Sequence, residues 1–216
     1  MEDGVLLKNK KRLLFIMIPI AAILQIALIV LILIGCSNVF LKGIILKESR
    51  NLEDYHYYYN TVDYAKDLLP TLEELSLEKE NINFGYRHIT FGVFDSEGIS
   101  LFLSYGELYS DAKNEIMSKY NFLDSPYQSS DGDYTYPLSD FEYNGYSFKV
   151  APNYNFCQWY LPKTFLLLGF NDVNERVCYL YFWDFDLDAI CGDIDLTERT
   201  RVMHDFIDKY FIWYNY

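Results

Sequence analysis

The chain has 216 residues, 51% of them hydrophobic and 19% aromatic, with 31 acidic against 18 basic side chains for a formal charge of −13. This composition excludes a disordered or collagen-like chain, and the charge disfavours nucleic acid, whose phosphates need clustered Lys and Arg. The apolar fraction is inflated by the run from Leu13 to Ile34, broken only by Pro19 and Gln25, and the remainder has the length of one ordinary folded domain.

Read from the N-terminus, that run makes a helix of roughly 33 Å at about 1.5 Å per residue, which matches a hydrocarbon core of about 30 Å. It is longer than the apolar core of a cleaved signal peptide. Pro19 lies in the first two turns, where losing an amide donor distorts a helix least. The bases Lys8, Lys10, Lys11 and Arg12 stand just before the span and place the N-terminus on the cytoplasmic side. Residues 1–49 carry six bases and three acids, +3, and the rest carries twelve bases and 28 acids, −16. An acidic domain of this kind suits solubility, or a basic protein as partner. The run ends in Leu33-Ile34-Gly35-Cys36, which resembles the lipobox of bacterial lipoproteins, and that resemblance makes Cys36 a lipidation site in the alternative to a retained span. The organisation read here is a cytoplasmic N-terminus over 1–12, a transmembrane helix or uncleaved signal anchor over 13–35, a juxtamembrane stub over 36–59 and one extracytoplasmic domain over 60–216.

Within the domain, Val62, Ala65, Leu68, Leu69 and Leu72 have helical spacing, and Pro70 ends or kinks that helix. From Tyr86 the period becomes two, so that Ile89, Phe91 and Val93 share a face. Asp95-Ser96-Glu97-Gly98 then reads as a turn, and Ile99, Leu101 and Leu103 share a face again, which predicts a hairpin. Leu108, Ala112, Ile116 and Tyr120 predict a helix with Glu115 and Lys119 exposed, and Leu123 to Tyr136 a loop. Asn144-Gly145 calls for a two-residue hairpin turn with φ > 0 at both positions. The register is then set: Tyr143 opposite Tyr146, Glu142 opposite Ser147, Phe141 opposite Phe148 and Asp140 opposite Lys149. A strand over Phe156 to Leu161, a hairpin of Phe165–Phe170 with Val177–Leu187, and a helix over Thr197 to Tyr214 complete the chain. The fold class is α+β, an antiparallel sheet of hairpins with flanking helices, because no βαβ alternation is sustained. All 21 Tyr fall after Asn51, as expected of a strand former with a polar tip in a sheet with one wet face.

Catalytic templates are missing: the chain contains no G-x-S-x-G, P-loop, H-E-x-x-H or dinucleotide fingerprint. Ser110-Asp111-Ala112-Lys113 matches S-x-x-K without its companion motifs, and His56, His88 and His204 stand outside any motif. Cys157, Cys178 and Cys191 are odd in number, so one bridge at most joins them, and Cys178 reads as a buried apolar residue. Asp184, Asp186 and Asp188 alternate with Phe185 and Leu187, followed by Asp193, Asp195 and Glu198. Their spacing imitates the start of an EF-hand, but Ala189 replaces the turn Gly and Asp195 the bidentate Glu. A solvated strand end is the plain reading, and a weak Ca²⁺ site at Asp184, Asp186, Asp188 and Asp195 the specific one.

The run Tyr160-Leu161-Pro162-Lys163 with Val177-Cys178-Tyr179-Leu180-Tyr181-Phe182-Trp183-Asp184-Phe185-Asp186-Leu187, behind a basic and apolar N-terminus, resembles small membrane-anchored or lipoprotein-type proteins of low-GC Gram-positive bacteria. That resemblance implies a compartment and no activity. Two functions are compatible with the whole. The first is a non-enzymatic binding module outside the cytoplasmic membrane, its partner a basic protein or an envelope glycan. The second is a cell-envelope hydrolase using carboxylates of the 184–198 region as acid and base.

Overall fold

The computed structural model describes residues 24–26, 28–31, 44–91, 94–128, 134–153, 164–184, 195 and 197–214. The chain divides into two compact units, Met1–Gly43 and Ile44–Tyr216. In the first, residues 24–26 and 28–31 are helical, and Leu24, Ile26, Leu28, Ile29, Val30 and Leu31 are all exposed. Among the described residues no helix is long and apolar enough to cross a membrane; the rest of 13–34 lies outside them, as does Cys36.

The second unit begins earlier than the domain boundary read at residue 60. Strand β1 (Ile44–Ser49) and helix α1 (Tyr55–Thr61) occupy much of the segment read as a stub. Helices α2 (Ala65–Leu68) and α3 (Leu72–Leu75) come next, then β2 (Ile82–Phe91), β3 (Phe94–Ser104) and α4 (Tyr109–Lys119). A small ribbon of β4 (Tyr127–Gln128) and β5 (Tyr134–Tyr136) leads into β6 (Asp140–Tyr143), β7 (Tyr146–Pro152), β8 (Thr164–Asn171), β9 (Arg176–Asp184) and α5 (Arg199–Tyr210). Among the described residues the main sheet has seven antiparallel strands in the order β1-β2-β3-β9-β8-β7-β6. Two meanders therefore meet where β9 pairs with β3.

Both sheet faces are covered, and this corrects the expectation of one wet face. On one side Tyr86, Leu101, Leu166 and Tyr179 pack under Tyr55, Val62, Leu69 and Ile116 of the short helices and α4. On the other, Phe102, Phe148, Leu167 and Phe182 pack under Met203, Phe206 and Tyr210 of α5. The central strands consequently lose the polar alternation of a half-solvated sheet. All eight residues of β8 are buried.

The Asn144-Gly145 hairpin has the four expected pairs, with φ of 48° and 78° at the two turn residues. β8 and β9 form the expected hairpin, closed by Asn171 opposite Arg176, and Cys178 is free and fully buried. Four other expectations are corrected. The helix expected over Val62 to Leu72 is broken into α2 and the start of α3, because Tyr64 takes a left-handed φ of 62° and Thr71 opens a new helix with a capping box to Glu74. Asp95 to Gly98 is not a turn but part of β3, with Phe91 opposite Phe94. The loop over Leu123 to Tyr136 contains the β4–β5 ribbon, and Tyr136 is fully buried against Phe165. Leu108 is exposed; Tyr109 replaces it on the buried side of α4. The strand expected over Phe156 to Leu161 lies outside the described residues.

The last helix stops at Tyr210 because two features of the sheet seize the chain there. Arg87 on β2 donates to the carbonyls of Asp208 and Lys209 at 2.9 and 2.8 Å while its Nε holds Glu48 at 2.7 Å, a cationic cap on the helix C-terminus. Beyond it, Phe211 and Ile212 are buried against Gly98 and Gly85. A Cβ on Gly85 would stand 2.7 Å from Cβ of Ile212, so only glycine admits the crossing chain. Ser100 donates to the Ile212 carbonyl at 3.0 Å, and the Tyr214 hydroxyl donates to the Phe84 carbonyl.

Candidate functional site: an acidic groove on the helical face

Between α3 and α4 lies a groove of about 500 Å³. Its placement is dictated by local sequence. The capping box of Thr71 and Glu74 starts α3, with Thr71 N–H to Glu74 Oε2 at 2.9 Å and Glu74 N–H to Thr71 Oγ1 at 3.2 Å. Ser76 ends it with a left-handed φ of 51°. Opposite, α4 anchors through Tyr109, whose hydroxyl donates to Asp172, and through Lys113, held by the same carboxylate at 2.6 Å. The Lys113 and Tyr109 hydrogen bonds hold the Asp172 carboxyl below its usual range. Lys113 of the S-x-x-K match is thus an ion-pair partner in α4.

The groove is lined by Leu75 and Ile116, both buried, by Tyr105 and Tyr179, and by exposed Glu74, Asp111 and Glu115 against the single base Lys119. Burial, and secondarily the charge of Glu115, push the Tyr105 hydroxyl up to about 12, and burial pushes Tyr179 up further. Both phenols therefore stay neutral and present aromatic surface with a hydrogen-bonding tip. Three carboxylates over an aromatic and aliphatic floor suit an ammonium or guanidinium group on an apolar stem.

Of the acids singled out in the sequence, Asp184, Asp195 and Glu198 are among the described residues. Asp184 is buried at the end of β9 and accepts from the Ser96 hydroxyl at 3.3 Å, so it is not part of a solvated face. Asp195 is exposed before α5, where its backbone carbonyl accepts from Glu198 at 2.9 Å and its side chain from the Thr197 amide at 3.3 Å. Asp186, Asp188, Asp193, Cys157 and Cys191 lie outside the described residues. Among the described residues no group of three or more His, Cys, Asp or Glu could hold a metal ion. His204 donates to the Glu142 carbonyl at 2.7 Å and packs on Tyr143, and the exposed His56 lies on α1.

A second polar group is legible in the sequence only in part, as His88 on one strand face with Tyr86 and Thr90. Tyr86, His88 and Thr90 on β2 face Asp95 and Glu97 on β3, because the hairpin register pairs His88 with Glu97 and Thr90 with Asp95. Asp95 accepts from His88 and, at 3.0 Å, from Thr90, while the Tyr86 hydroxyl donates to Glu97 at 2.5 Å. Burial holds the Glu97 carboxyl above its ordinary value, against the Tyr86 hydrogen bond and His88, which lower it. Each carboxylate is already engaged by a neighbour, which makes this a structural polar ladder. The signal was period two on both sides of Gly92-Val93, hidden by the turn-forming look of Asp95 to Gly98.

Comparison with protein-family models, with curated proteins and with solved structures finds no match for this chain.

Proposed function

We propose that this chain is a membrane-tethered binding module displayed outside the cytoplasmic membrane, and that the groove between α3 and α4 receives a cationic segment of a protein partner. The observation that carries the reading is the groove itself, with three exposed carboxylates and one base around buried Leu75, Ile116 and Tyr179. Its sign agrees with the −16 of the chain after residue 49. The tether is the Leu13–Ile34 run, whose described residues are helical with exposed apolar side chains, or a lipid on Cys36. The basic residues before the run put the domain outside.

The test is fluorescence anisotropy of a labelled oligolysine peptide with the full chain in detergent micelles at physiological salt. Three exposed ion pairs at roughly 0.5 kcal/mol each amount to about a tenfold change in affinity. Combining Glu74→Gln, Asp111→Asn and Glu115→Gln should weaken binding by that factor, and Gln at 74 preserves the capping box. The same charge removed by Glu53→Gln, Asp140→Asn and Glu142→Gln, all exposed and outside the groove lining, should change binding far less. Equal losses in the two triple variants would reduce the attraction to net charge and reject the groove.

A further inference from the structure

The exposed large apolar side chains of the sheet are gathered at one end. Ile44, Leu46, Phe91 and Phe94 are 71%, 54%, 40% and 41% exposed. Ile44, Phe91 and Phe94 form one cross-strand row, and Leu46 stands in the next row on the same face beside half-buried Ile89. With strands about 4.8 Å apart and same-face residues about 7 Å apart along a strand, these four side chains make one continuous patch. It lies beyond the part of this face that α5 covers, and β1 is an edge strand. A contiguous apolar patch marks a contact, unlike single exposed leucines.

We infer that this patch rests in the interface of the lipid bilayer to which the chain is tethered, an inference that depends on the tether proposed above. Three observations select lipid as the occupant. Ile44, the most exposed of the four, is ten positions after Ile34, the last residue of the apolar run, so at most about 35 Å of extended chain separates them. The exposed part of the two rows is Phe and aliphatic, the one carboxylate in line with them, Asp184 beyond Ser96, being buried, and Lys42 and Lys47 are the nearest charges in sequence on either side of Ile44; aromatic and aliphatic groups flanked by Lys suit the headgroup boundary. A second copy is disfavoured by repulsion between two chains of strongly negative charge.

The contact fixes where the groove is held. From Phe94 to Ser104, β3 runs roughly 30 Å at about 3.3 Å per residue, and Tyr105 of the groove comes directly after it. A domain resting on Phe91 and Phe94 therefore presents its groove at the end of the sheet away from the lipid.

The experiment uses the full chain in nanodiscs loaded at one chain per disc, made with ordinary or brominated-acyl phosphatidylcholine. Phe94→Trp reports on the patch. Val173→Trp, at a position 90% exposed in the β8–β9 turn, reports on the opposite end, and the emission of the parent chain is subtracted from both. Burial of the patch at the headgroup and acyl boundary should cost the Phe94→Trp signal about half its intensity in brominated lipid and leave the Val173→Trp signal unchanged. Co-elution with the discs checks the tether separately. A chain that enters the discs with equal quenching at both positions overturns the contact and leaves the tether standing. A chain that stays out of the discs overturns both. Quenching that needs two chains in one disc assigns the patch to a second copy and overturns lipid.

Discussion

Gly98→Ala tests the seating of the C-terminal segment on the sheet. A methyl group at this position would fall well inside 3.0 Å of the Tyr210 carbonyl oxygen and 3.2 Å from Cδ1 of Phe211. The first neighbour is backbone, and Arg87 fixes that backbone by holding the two preceding carbonyls, so no side-chain rotation relieves the clash. Either the sheet deforms, at the roughly 1–3 kcal/mol typical of overpacking, or the tail lifts. Lifting exposes Phe211 and Ile212, each now 1% exposed, at about 1.5–3 kcal/mol per side chain. Deformation costs less, with an expected loss of about 2–3 kcal/mol. For a unit of this length, roughly 2–4 °C per kcal/mol places the drop in Tm near 5–10 °C. Thermal unfolding followed by near-ultraviolet circular dichroism reads it. Gly106→Ala is the control: Gly106 has a φ of 54° and nothing within 4 Å of a Cβ, so it carries only the backbone strain of about 1–2 kcal/mol. A Gly98→Ala chain that melts with the parent, or above Gly106→Ala, would refute the seating of Tyr210–Ile212 on Gly98.

Other sites carry outcomes of their own. Gly145→Val places a β-branched residue at a φ of 78° and should destabilise the domain by roughly 1–3 kcal/mol; an unchanged unfolding midpoint contradicts the turn. Because burial raises the Glu97 carboxyl, the folded state binds that proton more tightly than the unfolded state. Stability is then lost as pH rises from the ordinary value of about 4.3 through the folded one, and the loss is complete above it. Glu97→Gln should match the parent below that window and exceed it above, and parallel pH–stability curves would count against the assignment. A membrane-impermeant protease added to intact cells should cut within residues 44–216, and Cys36→Ser should leave a retained span unaffected but abolish lipid attachment. The Ca²⁺ site read from the sequence at Asp184, Asp186, Asp188 and Asp195 is checked by the Tm in millimolar Ca²⁺ against chelator: a rise in the parent chain that Asp186→Asn lacks supports it, and no rise in the parent removes it.

The parts of this fold that could be read from sequence are those in which the local code and the tertiary demand coincide. Asn144-Gly145 supplies the positive φ that a two-residue turn requires, and the alternation of Phe141, Tyr143, Tyr146 and Phe148 sets the only register that keeps them on one buried face. Where the two conflict, tertiary contacts prevail. Asp95 to Gly98 carries turn chemistry, but as a strand it gives His88, Thr90 and Tyr86 their cross-strand partners and gives the C-terminal segment one of the two glycines it rests on. The groove was hidden for a related reason. Glu74 belongs to a capping box and Asp111 and Glu115 to a helix surface, and each is explained locally; only the packing of α3 beside α4 gathers them.

The tyrosines show the same dependence of local structure on distant residues. Helices α1, α2 and α3 have seven, four and four residues, too short to persist by themselves when isolated helices under about 12 residues are marginal. Carbonyls at and between them are held by phenols of α1, the end of α4 and β9. Tyr55 donates to Pro70 at 2.5 Å, Tyr120 beyond α4 to Leu68 at 2.7 Å, and Tyr181 of β9 to Asp63. Each hydroxyl reaches a backbone acceptor outside regular pairing, the last carbonyl of α2 at Leu68 or a connecting carbonyl at Pro70 or Asp63. Phe at these positions would fill the same space and leave the acceptor unmet, at about 1–3 kcal/mol when buried. Tyr55, Tyr120 and Tyr181 therefore hold broken helices on the sheet, and the chain entering α3, the wall of the groove, is among the segments they hold.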